Sequence, residues 1–119
     1  MKKEFIMNEN GVCINPNRVE YGDNKWGYVI KTAKIDGKWY YAYDCYHPTG
    51  GCGCGVSADK TDKAFNSEHE AISAAAKKIL DYFSRGFYSA YDKKDFAPPK
   101  LIQSLKELRK PVQLTLFDL

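Results

Sequence analysis

With 119 residues, 44% of them hydrophobic and 28% charged, the chain is long enough for one ordinary globular domain and too apolar for general disorder. A formal net charge of +3 is too small to argue nucleic-acid binding by itself. No apolar run approaches a membrane span, and the opening Met1-Lys2-Lys3-Glu4-Phe5-Ile6-Met7-Asn8 lacks a signal-peptide core, so the expected setting is cytoplasmic, without membrane contact.

Residues 1–11 read as loose, with Asn8, Asn10 and Gly11 as breakers, and Val12 to Ile14 as a short strand stopped by Asn15-Pro16-Asn17. The clearest element is a hairpin, Trp26 to Ile35 and Lys38 to Tyr46, around Asp36-Gly37. Asp-Gly between two β-rich runs fits a type I′ turn, which needs positive φ at both central residues. Pairing outward sets Lys34 opposite Trp39, Thr32 opposite Tyr41, Ile30 opposite Tyr43 and Tyr28 opposite Cys45. Alternation places Trp26, Tyr28, Ile30, Trp39, Tyr41 and Tyr43 on one face. The other face carries Val29, Lys31, Ala33, Tyr40, Ala42 and Asp44, a mixed set suited to partial hydration.

The Gly-rich stretch His47–Ser57 follows, with Gly55 to Ser57 as the start of another short strand, then a charged connection from Ala58 to Lys63. Ser67-Glu68-His69-Glu70 reads as a capping box that opens a helix. Its apolar stripe is Ala71, Ile72, Ala75, Ala76, Ile79 and Phe83, and Arg85-Gly86 ends it. His69 reads as a solvated first-turn residue. Residues 87–97 give no clear pattern. Pro98-Pro99 precedes a second helix, about Lys100 to Arg109, with Leu101, Ile102, Leu105 and Leu108 on one side. Pro111 disfavours its continuation.

The expected architecture is α+β: an antiparallel sheet of three or four strands around the Asp-Gly hairpin, packed against one main helix, with a second helix and an extended tail. Residues 1–97 would be a single α+β domain, 98–110 a C-terminal helix and 111–119 the tail. The aromatic face is expected to be core under the main helix. Its alternative use is as a platform that stacks single-stranded bases.

Two side-chain groups invite a chemical reading. Cys45, His47, Cys52 and Cys54 fall within ten residues and include every residue type a zinc site needs. Their C-x-H and C-x-C spacing is not the C-x₂-C knuckle, and the surrounding glycines suit either a converging turn or a plain loop. In a reducing compartment the chain's cysteines, Cys13 included, are expected as thiols or metal ligands rather than disulfides. No cofactor is expected; zinc is the one the residues would suit. Cys45 and His47 could project to one side of a strand, but no third group to orient the imidazole can be named, which leaves a small zinc or cysteine enzyme as the third and least favoured reading. No H-E-x-x-H, phosphate-cradling loop or G-x-S-x-G elbow occurs. Asp44, Asp59 and Asp62 fit no two-metal spacing. The reading is non-enzymatic, with no catalytic residues.

The last seven residues, Gln113-Leu114-Thr115-Leu116-Phe117-Asp118-Leu119, carry four large apolar side chains. Such a segment either folds onto its own domain or enters a partner's pocket. Residues 113–117 resemble the peptide by which bacterial DNA polymerases, mismatch-repair proteins and other replication factors bind the sliding clamp. That pattern is Gln, Leu, a small polar or acidic residue, Leu, Phe; Thr115 departs mildly and keeps a hydroxyl. The resemblance implies that Gln113 makes amide hydrogen bonds in a polar subsite, Leu116 and Phe117 fill the main hydrophobic pocket, and Leu114 covers its edge. The body, through Gly37–Gly51 and Phe65–Ala75, resembles in a general way small accessory proteins of phages and mobile elements, with no defined family attached.

From Lys93 to Pro111 six basic side chains (Lys93, Lys94, Lys100, Lys106, Arg109, Lys110) face only Asp95 and Glu107, a local +4 that leaves −1 for the rest of the chain. Of these, Lys93, Lys94, Lys106, Arg109 and Lys110 are candidates for weak, salt-sensitive phosphate contact on the DNA a clamp encircles. The plain alternative is a solvated helix face.

Overall fold

The structure is a computed structural model and describes residues 3–58, 64–88 and 94–111. Its elements are β1 (Asn17–Gly22), β2 (Gly27–Ile35), β3 (Lys38–His47), β4 (Gly50–Cys52), α1 (Glu68–Ser84), β5 (Phe87–Tyr88), β6 (Lys94–Asp95) and α2 (Pro99–Leu108). The first four strands form one antiparallel sheet in the order β1-β2-β3-β4, and β5 pairs with β6. The fold is α+β.

The hairpin has the register its turn dictates. Asp36 and Gly37 both take positive φ, 50° and 82°, and Lys34–Trp39, Thr32–Tyr41, Ile30–Tyr43 and Tyr28–Cys45 are opposed. Both helices cover one sheet face. Trp26, Tyr28, Ile30 and Cys45 are buried there with Ala75, Ala76, Ile79 and Phe83 of α1 and Leu101 and Leu105 of α2. α2 is therefore part of the same core. It is also tied to the sheet by a 2.8 Å hydrogen bond between the Tyr28 hydroxyl and Ser104 Oγ, with Ser104 in turn donating to the Leu101 carbonyl at 2.6 Å.

α1 starts as its sequence requires, with a variation. The Ser67 hydroxyl accepts from the Glu70 amide at 3.2 Å, but the Glu70 carboxylate reaches back one residue further than a capping box needs, accepting from the Asn66 amide at 3.2 Å. Glu68 faces the sheet, where one carboxylate oxygen accepts from buried Thr32 Oγ1 at 2.8 Å and from Asn17 Nδ2 at 2.6 Å. Three elements thus meet on one carboxylate. Gly86, φ 69°, closes the helix.

Four expectations need correction. The second sheet face is not left to water: Phe5, Met7, Cys13 and Val56 pack there on Ala33, Ala42, Ile35 and Tyr40 as a second small core. The opening segment that covers it is consequently not loose. Asn8 Oδ1 accepts from the amides of Asn10 and Val12, and Asn15 Oδ1 and Nδ2 hold Ile6 and Glu4, so side-chain amides replace a ladder. Only an isolated Met7–Cys13 bridge forms in place of a 12–14 strand, while the true strand, β1, begins at Asn17, where a stop was expected. Gly55–Ser57 is not a strand either; β4 lies earlier, and Val56 joins the second core, its carbonyl accepting from the Cys13 amide at 2.8 Å.

Candidate functional site

The clamp-like motif residues Gln113, Leu114, Leu116 and Phe117 lie outside the described residues, as do Lys93, Asp59 and Asp62. What is described is the element that leads to the motif. α2 ends at Leu108, Arg109 caps it, and the described chain stops at Pro111.

The basic candidates separate into two places. Lys106 in the last turn of α2, Arg109 at its cap and Lys110 just beyond it are all exposed at one end of the helix. There they complement the negative end of the helix dipole. Lys110 also pairs with Glu107 at 2.9 Å, and that carboxyl, held by Lys110 and then Gln103, lies below its usual range. Lys94 stands on β6, before the opposite end of α2, roughly 15 Å of helix away, with its ammonium 5.7 Å from the Phe96 ring centroid. The fold therefore brings three of these cations together and holds the fourth apart.

The four zinc-type residues do not converge. Cys45 and Cys52 are directly opposed on β3 and β4, and His47 is opposite Gly50. The His47 ring is held for a different purpose: it stacks on Phe87 at 3.9 Å and 15°, contacts Trp26 and Tyr82, and takes Thr49 Oγ1 on Nδ1 at 3.0 Å. Burial, then the nearby Arg85, lowers its pKa below the ordinary imidazole value. Beyond Cys52 the chain passes round the sheet edge. The Cys54 carbonyl accepts from Lys31, whose ammonium also pairs with Asp44 at 3.1 Å, and both belong to the opposite face. No group of three or more His, Cys, Asp or Glu able to hold a metal occurs among the described residues, these four included.

Close approach explains two glycines of this stretch. A side chain on Gly51 would meet the Cys45 carbonyl, and one on Gly53 the Asp44 carboxylate. Neither residue has an unusual φ, so space is the reason for glycine at both.

The aromatic hairpin face is occupied by α1 and α2. Trp26 and Tyr28 are buried; Tyr41 and Tyr43, half-buried and stacked with centroids 6.4 Å apart, pack against the core. Trp39 is half-buried, edge-on to Phe5 and bridged through its backbone to Phe65. A single-strand platform needs an open sheet face with cations beside it. Here helices take that place and Lys34 stands exposed at the far end of the hairpin.

The environment of His47 is not legible in the sequence. Tyr82, Arg85 and Phe87 come from the end of α1 and just beyond it, some 35 to 40 residues away in sequence, and no local pattern links them to β3. The same ring forms one wall of an open groove of about 540 Å³ shared with Asn24, Lys25, Trp26, Pro48, Asp95 and Phe96. No protein-family model, curated protein or solved structure matches this chain. No helix among the described residues is long and apolar enough to cross a membrane.

Proposed function

We propose that this protein is a non-enzymatic accessory or adaptor protein, of the kind carried by phages and mobile elements, that binds the bacterial DNA sliding clamp through residues 113–117. The observation that carries the reading is the sequence Gln113-Leu114-Thr115-Leu116-Phe117, which has every defining side chain of a clamp-binding peptide. Its position supports the reading. α2 is fixed by buried Leu101 and Leu105 and by the Ser104–Tyr28 bond, and it ends at Leu108, with the motif beginning two residues after Pro111. A peptide so placed has a rigid anchor and a short tether. Leu116 and Phe117 would act as the buried anchors and Gln113 as the polar one. Lys106, Arg109 and Lys110 would stand beside the DNA that the clamp encircles and add salt-sensitive attraction.

The test is titration calorimetry with a bacterial clamp, comparing the intact chain with Leu116→Ala/Phe117→Ala, beside a melting curve for each. The expected dissociation constant is on the order of micromolar, about −8 kcal/mol, because a few anchors supply the affinity and ordering the peptide opposes it. The double variant should lose binding and melt within about 2 °C of the intact chain. Equal binding by both, or none by either, refutes the proposal. A variant that melts several degrees lower and an intact chain that ignores the clamp would assign residues 113–117 to the protein's own core.

A further inference from the structure

Cys45 and Cys52 lie directly opposite one another on β3 and β4. Opposed residues of antiparallel strands have Cα atoms about 4.5 or 5.5 Å apart, and both spacings fall in the range of roughly 4.4–6.8 Å that a disulfide spans. Being opposed, the two side chains also rise from the same sheet face. Cys52 and burial both push the Cys45 thiol up, burial the more strongly, as expected for two sulfurs close together on one face. The two thiols differ sharply in access: Cys45 is 2% exposed, whereas Cys52 is open to solvent. Packing accounts for a cysteine at 45. It does not account for one at 52, where the side chain is exposed and its glycine neighbours serve close backbone approach.

We infer that Cys45 and Cys52 are a redox-active dithiol that closes into a cross-strand disulfide on reaction with a low-molecular-weight disulfide such as glutathione disulfide, independently of any clamp binding. Cys52, the accessible thiol, loses its proton to solvent and attacks one sulfur of the oxidant. A Cys52–glutathione mixed disulfide forms and one glutathione thiolate leaves. Cys45 then gives up its proton and attacks the Cys52 sulfur, and the second glutathione leaves. In sum two protein thiols are oxidised by two electrons, and one glutathione disulfide becomes two glutathione molecules. The order of attack follows from access and from acidity, since burial and then the neighbouring Cys52 hold the Cys45 thiol far above the ordinary range. Of the remaining cysteines, Cys54 is exposed like Cys52 but lies beyond the last paired residue of β4, so Cys52 is the one opposed to Cys45, and Cys13 is buried in the core of the opposite face.

The intact protein is equilibrated with glutathione buffers of increasing oxidised fraction, quenched in acid, unfolded, alkylated and mapped by mass spectrometry. The expected product has lost about 2 Da, with two of its four thiols protected, a single Cys45–Cys52 linked peptide, and full reversal by dithiothreitol. Cys54→Ser should give the same product at the same buffer ratio. Cys45→Ala should stop at one glutathione on Cys52, and Cys52→Ser should take up neither glutathione nor a disulfide at Cys45. Three results overturn the inference: Cys45 staying fully alkylated across the series, Cys52 of the unaltered protein accumulating as the mixed disulfide, or a disulfide that joins Cys52 to Cys54 instead. Should Cys45→Ala fail to fold, the unaltered protein and Cys54→Ser decide the matter between them.

Discussion

Replacing Ile79 by alanine tests the assignment of the main core. Ile79 is fully buried on the face of α1 that meets the sheet, in one cluster with Tyr28, Ile30, Phe83, Leu101 and Leu105. The change deletes three carbon atoms, which at about 0.8 kcal/mol each is roughly 2.4 kcal/mol of lost transfer energy. Residual space adds to this at about 24 cal/mol per Å³, so roughly 40 Å³ left unfilled contributes about 1 kcal/mol more. Alanine's better helix propensity returns about 0.4 kcal/mol. The net expectation is about 3 kcal/mol, a large part of the stability of a domain this size. Urea unfolding should show a lower midpoint at an unchanged slope, and the melting temperature should fall by on the order of 10 °C. Ile72→Ala, on the half-buried flank of the same helix, should cost about half as much, and Ile14→Ala, 62% exposed, under about 0.5 kcal/mol. A loss below about 1 kcal/mol at Ile79, or equal losses at all three positions, would mean that this face of α1 does not pack on the sheet.

Glu68→Ala should destabilise by about 1–3 kcal/mol, since it strips the acceptor from the buried Thr32 hydroxyl and from Asn17, and adding Thr32→Val should restore part of the loss; additive losses in a double-mutant cycle would refute the shared bond. Gly27→Ala would set a methyl group against the Tyr46 ring, forcing that ring off its 2.6 Å bond to the Asp23 carbonyl at a cost of about 1–2 kcal/mol, and the cost should shrink in a Tyr46→Ala background when both are measured by thermal melting. The His47 imidazole should titrate below about 6.5 when followed by proton NMR and assigned with His47→Gln. Because its folded value is the lowered one, the unfolded chain takes up the proton first. The His47 contribution is therefore complete above about pH 6.5 and is lost as pH falls from there through the lower folded value, and a titration at or above 6.5 would remove its cause.

What the sequence made legible follows the locality of each signal. The hairpin register could be read because Asp36-Gly37 fixes it at one point and period-two alternation carries it outward. α1 could be read because Ser67, Glu70 and Gly86 mark both ends of an apolar stripe, of which Ala71, Ala75, Ala76, Ile79 and Phe83 are buried. β1 is harder to read because Val19 and Tyr21 alternate with exposed Arg18 and Glu20 over only four residues, directly after the turn signal of Asn15-Pro16-Asn17. The covering of the second face escaped for another reason. Asn8 and Asn15 look like chain breakers in sequence, yet in the fold their side-chain amides satisfy the backbone that lays Phe5 and Met7 on Ala33 and Ala42.

The chemical residues were the hardest to place, and the sheet edge is the reason. Counting along the sequence puts Cys45, His47, Cys52 and Cys54 within ten residues, which is close enough for one metal. A strand, however, assigns each side chain to a face, and a chain that turns round the edge changes face without changing its spacing. Cys45 and Cys52 stay opposed because β4 pairs before the turn; Cys54 lies beyond the last paired residue, its carbonyl drawn to Lys31. His47 stays on the face of Cys45 but is claimed by Phe87, Tyr82 and Thr49. Four ligands in sequence thus become one opposed pair of thiols in space. Two opposed sulfurs are what a disulfide requires, whereas a tetrahedral ion requires four donors, and no group of three or more His, Cys, Asp or Glu able to hold one occurs among the described residues.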